Sequence, residues 1–152
     1  MSYFDREEKV HIMRTKPLPL ETIISERVAL KKRSDVFLRD DFLDLAGYDQ
    51  VGRALRGLVG KGKLLKLGYG LYTRAAPSPF DGQPAPIKGL QTLAAEALGR
   101  LGVKTAETEL ERAYNAGETT QVPSGRVIAV SKRVRRKIGF AGNYMSFESA
   151  AT

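Results

Sequence analysis

Between Tyr48 and Arg74 the sequence YDQVGRALRGLVGKGKLLKLGYGLYTR sets Arg53, Arg56, Lys61, Lys63, Lys66 and Arg74 against a single acid, Asp49. Cationic groups at that density, with so little carboxylate to neutralise them, are the groups that hold phosphate. Arginine and glutamine at helical spacing can in addition read base edges, Arg bidentately on guanine and Gln on adenine. Gln50, Arg53 and Arg56 are placed for base reading. Lys61, Lys63, Lys66 and Arg74 are placed to hold phosphates, and Tyr69 to touch backbone or minor groove. A second basic run, KRVRRK, contains Lys132, Arg133, Arg135, Arg136 and Lys137. It could extend such a contact to flanking phosphates, bind another polyanion, or act as a soluble hairpin edge that discourages aggregation.

Other chemistry is thinly provided for. The chain has no cysteine, which removes disulfides, thiolate nucleophiles and the commonest structural zinc ligands. His11 is the only histidine, with no second His and no acid at metal-ligand spacing, so a surface or packing role is expected of it. Asp40, Asp41 and Asp44 lie where a helix should start, and capping accounts for them. The glycine-rich GKGKLLKLGYG lacks the spacing of a phosphate loop or a dinucleotide fingerprint and follows a helix instead of a strand. No catalytic residue, metal or cofactor is expected, and no enzyme.

The net charge is +8 and the pI about 9.8. The charge is unevenly spread: +1 over residues 1–19, +4 over 20–75, −2 over 76–125 and +5 over 126–152. The basic surface therefore comes in two blocks separated by a mildly acidic one, a distribution that attracts polyanions. Apolar runs are short, and the acidic start MSYFDREEKV lacks the character of a signal peptide, so a cytoplasmic protein without membrane contact is expected.

The elements that must position the basic residues follow from periodicity. Residues 1–19 read as an N-terminal arm, either poorly ordered or leaning on the rest of the chain or on a second subunit. Pro19 suits the first position of a helix, and Leu20, Ile23, Ile24 and Val28 recur at helical spacing up to about Ser34. Val36–Leu38 is a short strand for edge pairing. A brief second helix follows from Asp40, with Phe42, Leu45 and Ala46 on one face and Gly47 as its stop. Asp49 is a good N-cap for a third helix, in which Val51, Ala54, Leu55, Leu58 and Val59 fall on one side and Arg53 and Arg56 on the other. Gly52, Gly57 and Gly60 flank the arginines; a closely approaching DNA backbone or groove wall would be one reason for so thin a face, and looseness near the helix end is the other. Lys63–Leu67 and Leu71–Thr73 then form a hairpin about Gly68, Tyr69 and Gly70. Helix, strand, helix, helix, hairpin is the winged helix-turn-helix order, expected over 20–75.

AAPSPFDGQPAP has four prolines and a glycine in twelve residues, so 76–87 reads as a linker or extended connection. Residues 88–152 read as a small α+β unit. It should hold a helix from Ile87 to Leu101, a second around Glu107 to Ala116 packed on the first, a buried strand over 126–131, and a hairpin of 138–140 and 144–147 around Gly142 and Asn143. The fold class expected is thus α+β, a winged helix-turn-helix followed by a small C-terminal unit. Winged helices also serve as protein-binding modules, and a charged helix face is often merely solvated, so an interaction module without DNA binding is the alternative.

The stretch VFLRDDFLDLAGYDQVGRALRGLVGKGKLLKLGYGLYTR resembles the N-terminal winged helix of the AbiEi-type antitoxins and their short relatives among bacterial transcriptional regulators. The resemblance rests on Phe37, Asp41 and Phe42, Val51 with Ala54 and Leu55, Lys61 and Gly62, and Gly70 with Tyr72. TTQVP at Thr119 to Pro123 resembles the corresponding later part. The resemblance implies a cytoplasmic bacterial repressor that binds double-stranded DNA at inverted repeats in its own promoter, with a homodimer as the matching assembly. In type IV toxin-antitoxin pairs such a protein also counteracts a nucleotidyltransferase-like toxin without a stable complex. The second unit here is shorter than in full-length antitoxins and the arm is additional, so repression carries over more directly than antitoxicity.

Overall fold

The computed structural model describes residues 18–150. Of the N-terminal arm, residues 1–17, His11 among them, lie outside the described residues. The described chain is mixed α+β, with four α-helices and several small sheets.

Helix α1 (Leu20–Leu30) starts behind Pro19, which stands at the N-cap, one position before the first helical residue. Its expected run to Ser34 is cut short. The Arg74 guanidinium donates to the backbone carbonyls of Lys31 and, at 3.1 Å, of Ser34, and so fixes the chain as it leaves the helix. Strand β1 (Val36–Leu38) follows. The expected second helix is only a 3₁₀ turn, Arg39–Phe42. Its continuing bonds, Leu43 N–H to Asp40 O and Leu45 N–H to Phe42 O, span three residues instead of four. The Asp41 carboxylate is drawn back to the Leu38 N–H at 2.9 Å, which tightens the turn.

Helix α2 (Tyr48–Gly60) has Gly47 as its N-cap, not Asp49. Gly47 holds extended backbone, and the Gln50 side-chain oxygen accepts its N–H at 3.3 Å, so the helix is already under way at Tyr48. Asp49 lies in the first turn near the positive helix end. Strands β2 (Leu64–Gly68) and β3 (Leu71–Pro77) form an antiparallel hairpin with Leu64 opposite Arg74 and Lys66 opposite Tyr72. The register shifts between Lys66 and Gly68, and Gly70 at φ 68° closes the tip. β1 pairs antiparallel with the other side of β3, giving the order β1-β3-β2.

Side chains alternate across these strands, so the sheet feeds two cores. Phe37, Leu64 and Tyr72 pack with Ile24 of α1 and Leu55 and Leu58 of α2. Val36, Leu67 and Leu71 pack instead under helix α3 (Leu90–Arg100), against Leu93, Ala97 and Leu98. The expected division into an N-terminal and a C-terminal unit thus runs through a shared core. Nor is 76–87 an extended connection. Strand β4 (Pro84–Pro86) folds back on the end of β3, with Ala75 opposite Pro86 and Pro77 opposite Pro84, around a turn in which Gly82 has φ 71°. Short edge pairing tolerates prolines because few N–H groups are needed there.

Beyond α3 come β5 (Thr105–Ala106), α4 (Glu109–Asn115) and β6 (Val127–Val130). α4 buries none of its residues, so the expected packing of the two C-terminal helices does not occur. It is held by its Thr108 and Glu111 capping box and by Arg112 paired with Glu109 and Glu118. The final hairpin is short: β7 (Gly139–Phe140) pairs with β8 (Asn143–Tyr144) around Ala141 and Gly142, both at positive φ. Phe147, expected in that hairpin, belongs to β9 (Ser146–Ser149), which pairs parallel to β6.

Candidate nucleic-acid interface

With Val51, Ala54, Leu55 and Leu58 buried, the outer side of α2 carries Arg53 and Arg56. Both are exposed, and among the described residues neither makes an ion pair or hydrogen bond. Gln50 is exposed as well. Its oxygen is engaged by Gly47, which leaves the amide nitrogen as the group free to meet a ligand.

The glycines beside these arginines have an internal explanation at two of three positions. A Cβ at Gly52 would collide with the Arg39 guanidinium, and one at Gly57 with the Glu21 carboxylate. Only Gly60 faces open space. The space beside Gly52 and Gly57 is thus taken by the ends of two side chains of the same protein, Arg39 and Glu21.

The phosphate candidates separate in the same way. Lys63 and Lys66 are exposed and, among the described residues, unpaired. Lys61 is exposed but reaches Glu21 at 2.5 Å, so part of its charge is met within the molecule. Arg74, expected to hold phosphate, is turned inward. Its guanidinium lies 5.1 Å from the Phe37 ring centre and 3.4 Å from the Asp35 carboxylate while holding the carbonyls that end α1. Opposite Leu64 on the central strand β3, its side chain reaches the chain that leaves α1 and the ring and carboxylate beside it.

Tyr69 stands at the hairpin tip, mostly exposed, and its hydroxyl shares a 2.9 Å hydrogen bond with that of Tyr48 at the start of α2. This bond raises the Tyr48 pKa above the ordinary phenol value. Arg39 stacks on the Tyr48 ring at 3.5 Å and donates to its carbonyl at 2.6 and 3.0 Å. Arg39 and Tyr48 thus tie the helix to the turn before it and to the hairpin tip. Sequence reasoning missed both, and the one available signal was Gly52, whose missing side chain makes room for Arg39.

The second basic run also comes to the hairpin. Lys132, Arg133, Arg135, Arg136 and Lys137 are all exposed, and Arg136 Nη1 donates to the Tyr69 carbonyl at 2.8 Å. Its neighbour Ile138 is fully buried in the core with Leu67 and Leu71, which anchors the run there. The two basic blocks of the sequence thus meet at the hairpin tip. Among the described residues no group of His, Cys, Asp and Glu could hold a metal ion, and no helix is long and apolar enough to cross a membrane.

Residues 23–151 match a family described as a family of unknown function (DUF6088). No curated protein and no solved structure matches the chain.

Proposed function

The chain belongs to that family, and we propose that it is a sequence-specific DNA-binding transcriptional regulator built on a winged helix-turn-helix. In this reading α1, the 3₁₀ turn and α2 are the helix-turn-helix, α2 enters the major groove, and the β2–β3 hairpin is the wing. The observation that carries it is the pair Arg53 and Arg56, exposed and unpaired among the described residues on the outer side of α2, beside a hairpin that offers Lys63, Lys66 and Tyr69. Two free guanidinium groups one helical turn apart suit bidentate contact with guanine edges, each contact giving about 1 to 3 kcal/mol of discrimination.

The resemblance to AbiEi-type antitoxins supports the narrower reading of a cytoplasmic repressor acting as a homodimer on inverted repeats in its own promoter. Pairing with a nucleotidyltransferase-like toxin extends the same resemblance. A toxic nucleotidyltransferase-like protein encoded next to this one, and relieved by it, would support that extension.

Anisotropy titrations with the protein's own upstream DNA test the reading. With Lys63 and Lys66 of both protomers as about four phosphate contacts, affinity should fall at least about a hundredfold between about 50 and about 200 mM salt. Arg53→Ala or Arg56→Ala should relax sequence preference, whereas Lys63→Ala or Lys66→Ala should weaken all duplexes alike. Binding indifferent to salt, or equal and uniform losses at all four positions, would sink it.

A protein-interaction module is the second reading. It is favoured by a cleft of about 670 Å³ lined by Leu20, Ile23, Leu45 and Ala46 together with Gln50 and Arg53. Absence of duplex binding, with a protein partner captured through this cleft and lost on Ile23→Glu, would select it.

A further inference from the structure

Beside the β2–β3 hairpin lies a groove of about 350 Å³ that the sequence builds from two distant segments. One wall is Lys66 to Tyr69, and the other is Arg136, Lys137 and the β7–β8 hairpin with Tyr144. The walls are held at close range. A Cβ at Gly68 would lie 2.5 Å from the Lys137 carbonyl oxygen, so only glycine lets the strands approach this far. Arg136 bridges to the Tyr69 carbonyl with one of its five N–H groups and keeps others to donate. Lys66, Arg136 and Lys137 line the groove and, among the described residues, no acid does. The Lys137 ammonium stands 5.7 Å from the centre of the Tyr144 ring, which is itself half exposed.

Three cations along the groove are the groups that hold successive phosphates, and the exposed Tyr144 adds a hydroxyl of the kind that donates to phosphate oxygens. We propose that this groove takes the sugar–phosphate backbone of the duplex that α2 reads, which makes the C-terminal Lys132–Lys137 loop a second DNA-contacting element joined to the wing. The inference rests on the DNA-binding reading and adds to it a contact made outside the winged helix. Tyr48, Tyr69 and Arg136 form a chain of contacts from α2 through the hairpin tip to the loop, so strand and helix would engage one duplex together.

The test uses the full chain and fluorescent duplexes of its own upstream DNA. For the double variant Arg136→Gln, Lys137→Gln the slope of log affinity against log salt should become shallower by about 1.8 per bound protomer, about 0.9 per lost charge, with the ranking of duplex sequences unchanged. Lys137→Gln alone, a surface change that leaves the Arg136 bridge in place, should give about half of that. Arg136→Lys keeps the charge and should keep the slope. If the unaltered protein binds duplex DNA but the slope is the same in the glutamine variants, the groove is not a DNA contact and the inference falls while the function stands. If the variants lose only single-stranded RNA binding, it falls in favour of RNA. If the unaltered protein binds no duplex, the functional reading itself fails and the inference goes with it.

Discussion

Arginines of one chain do different work according to what the fold puts beside them. Arg53 and Arg56 face outward without partners among the described residues, Arg74 stacks on Phe37 and ends α1, and Arg39 lies over Tyr48 in the space left by Gly52. Guanidinium is suited to all of these settings because it is planar, always charged and rich in donors. The glycines test this picture. Gly60 is helical with nothing near its missing side chain, so Gly60→Ala should stabilise the protein by about 0.4 to 1 kcal/mol. Gly52→Ala gains the same propensity but must push Arg39 off the Tyr48 ring, and should lower the urea midpoint. Urea unfolding of both variants checks this, and a Gly52→Ala protein as stable as Gly60→Ala would show that Arg39 contributes nothing to holding α2.

At the level of elements, the short turn between β1 and α2 is held by ion pairs more than by its own helical bonds. Arg27 of α1 donates to both oxygens of Asp44 at 2.7 and 2.8 Å and to the Asp41 carbonyl at 3.1 Å, while Arg100 of α3 grips the Asp41 carboxylate at 2.5 and 3.1 Å. The bond from Arg27 holds the Asp44 carboxyl below its usual range. A lowered native pKa means stability that is present above the unfolded value, about pH 4, and lost as pH falls through the native value. Thermal melts should therefore show the unaltered protein losing stability more steeply than Asp44→Asn as the pH falls below about 4. The difference should be small because the pair is exposed, and parallel curves would refute the assignment.

For the molecule as a whole, the decisive feature is that one sheet serves two cores. Val36, Leu67 and Leu71 would be bare without Leu93, Ala97 and Leu98 of α3, and each such side chain is worth about 1.5 to 3 kcal/mol when buried. Lys88 adds an ion pair to Asp35, and the Glu96 carboxylate accepts the Asp35 N–H at 3.2 Å. A fragment of residues 18–87 should consequently bind a hydrophobic dye and unfold without a sharp transition, whereas the full chain should unfold in one cooperative step. Two separated transitions in the calorimetry of the full chain would mean that the two halves are independent after all. The shared core also fixes Ile138 in place, and with it the basic loop beside the hairpin.

The sequence by itself determined the elements whose periodicity is local. The apolar stripe of α2, the alternation in β2 and the glycine at the hairpin tip each follow from spacing within a dozen residues, as does the outward position of Arg53 and Arg56. It misjudged what depends on partners far along the chain. Ser34 was expected inside a helix that Arg74 terminates from forty residues away, the proline-rich 76–87 pairs back on β3, and residues 144–147 divide between β8 and β9 because β6 offers an edge. Of the site, the tertiary structure alone decided that Arg74 turns inward, that Gly52 and Gly57 accommodate Arg39 and Glu21, and that Lys132–Lys137 meets the hairpin tip. Helical and strand periods are properties of neighbouring residues, whereas a charge finds its partner through packing that no local pattern encodes.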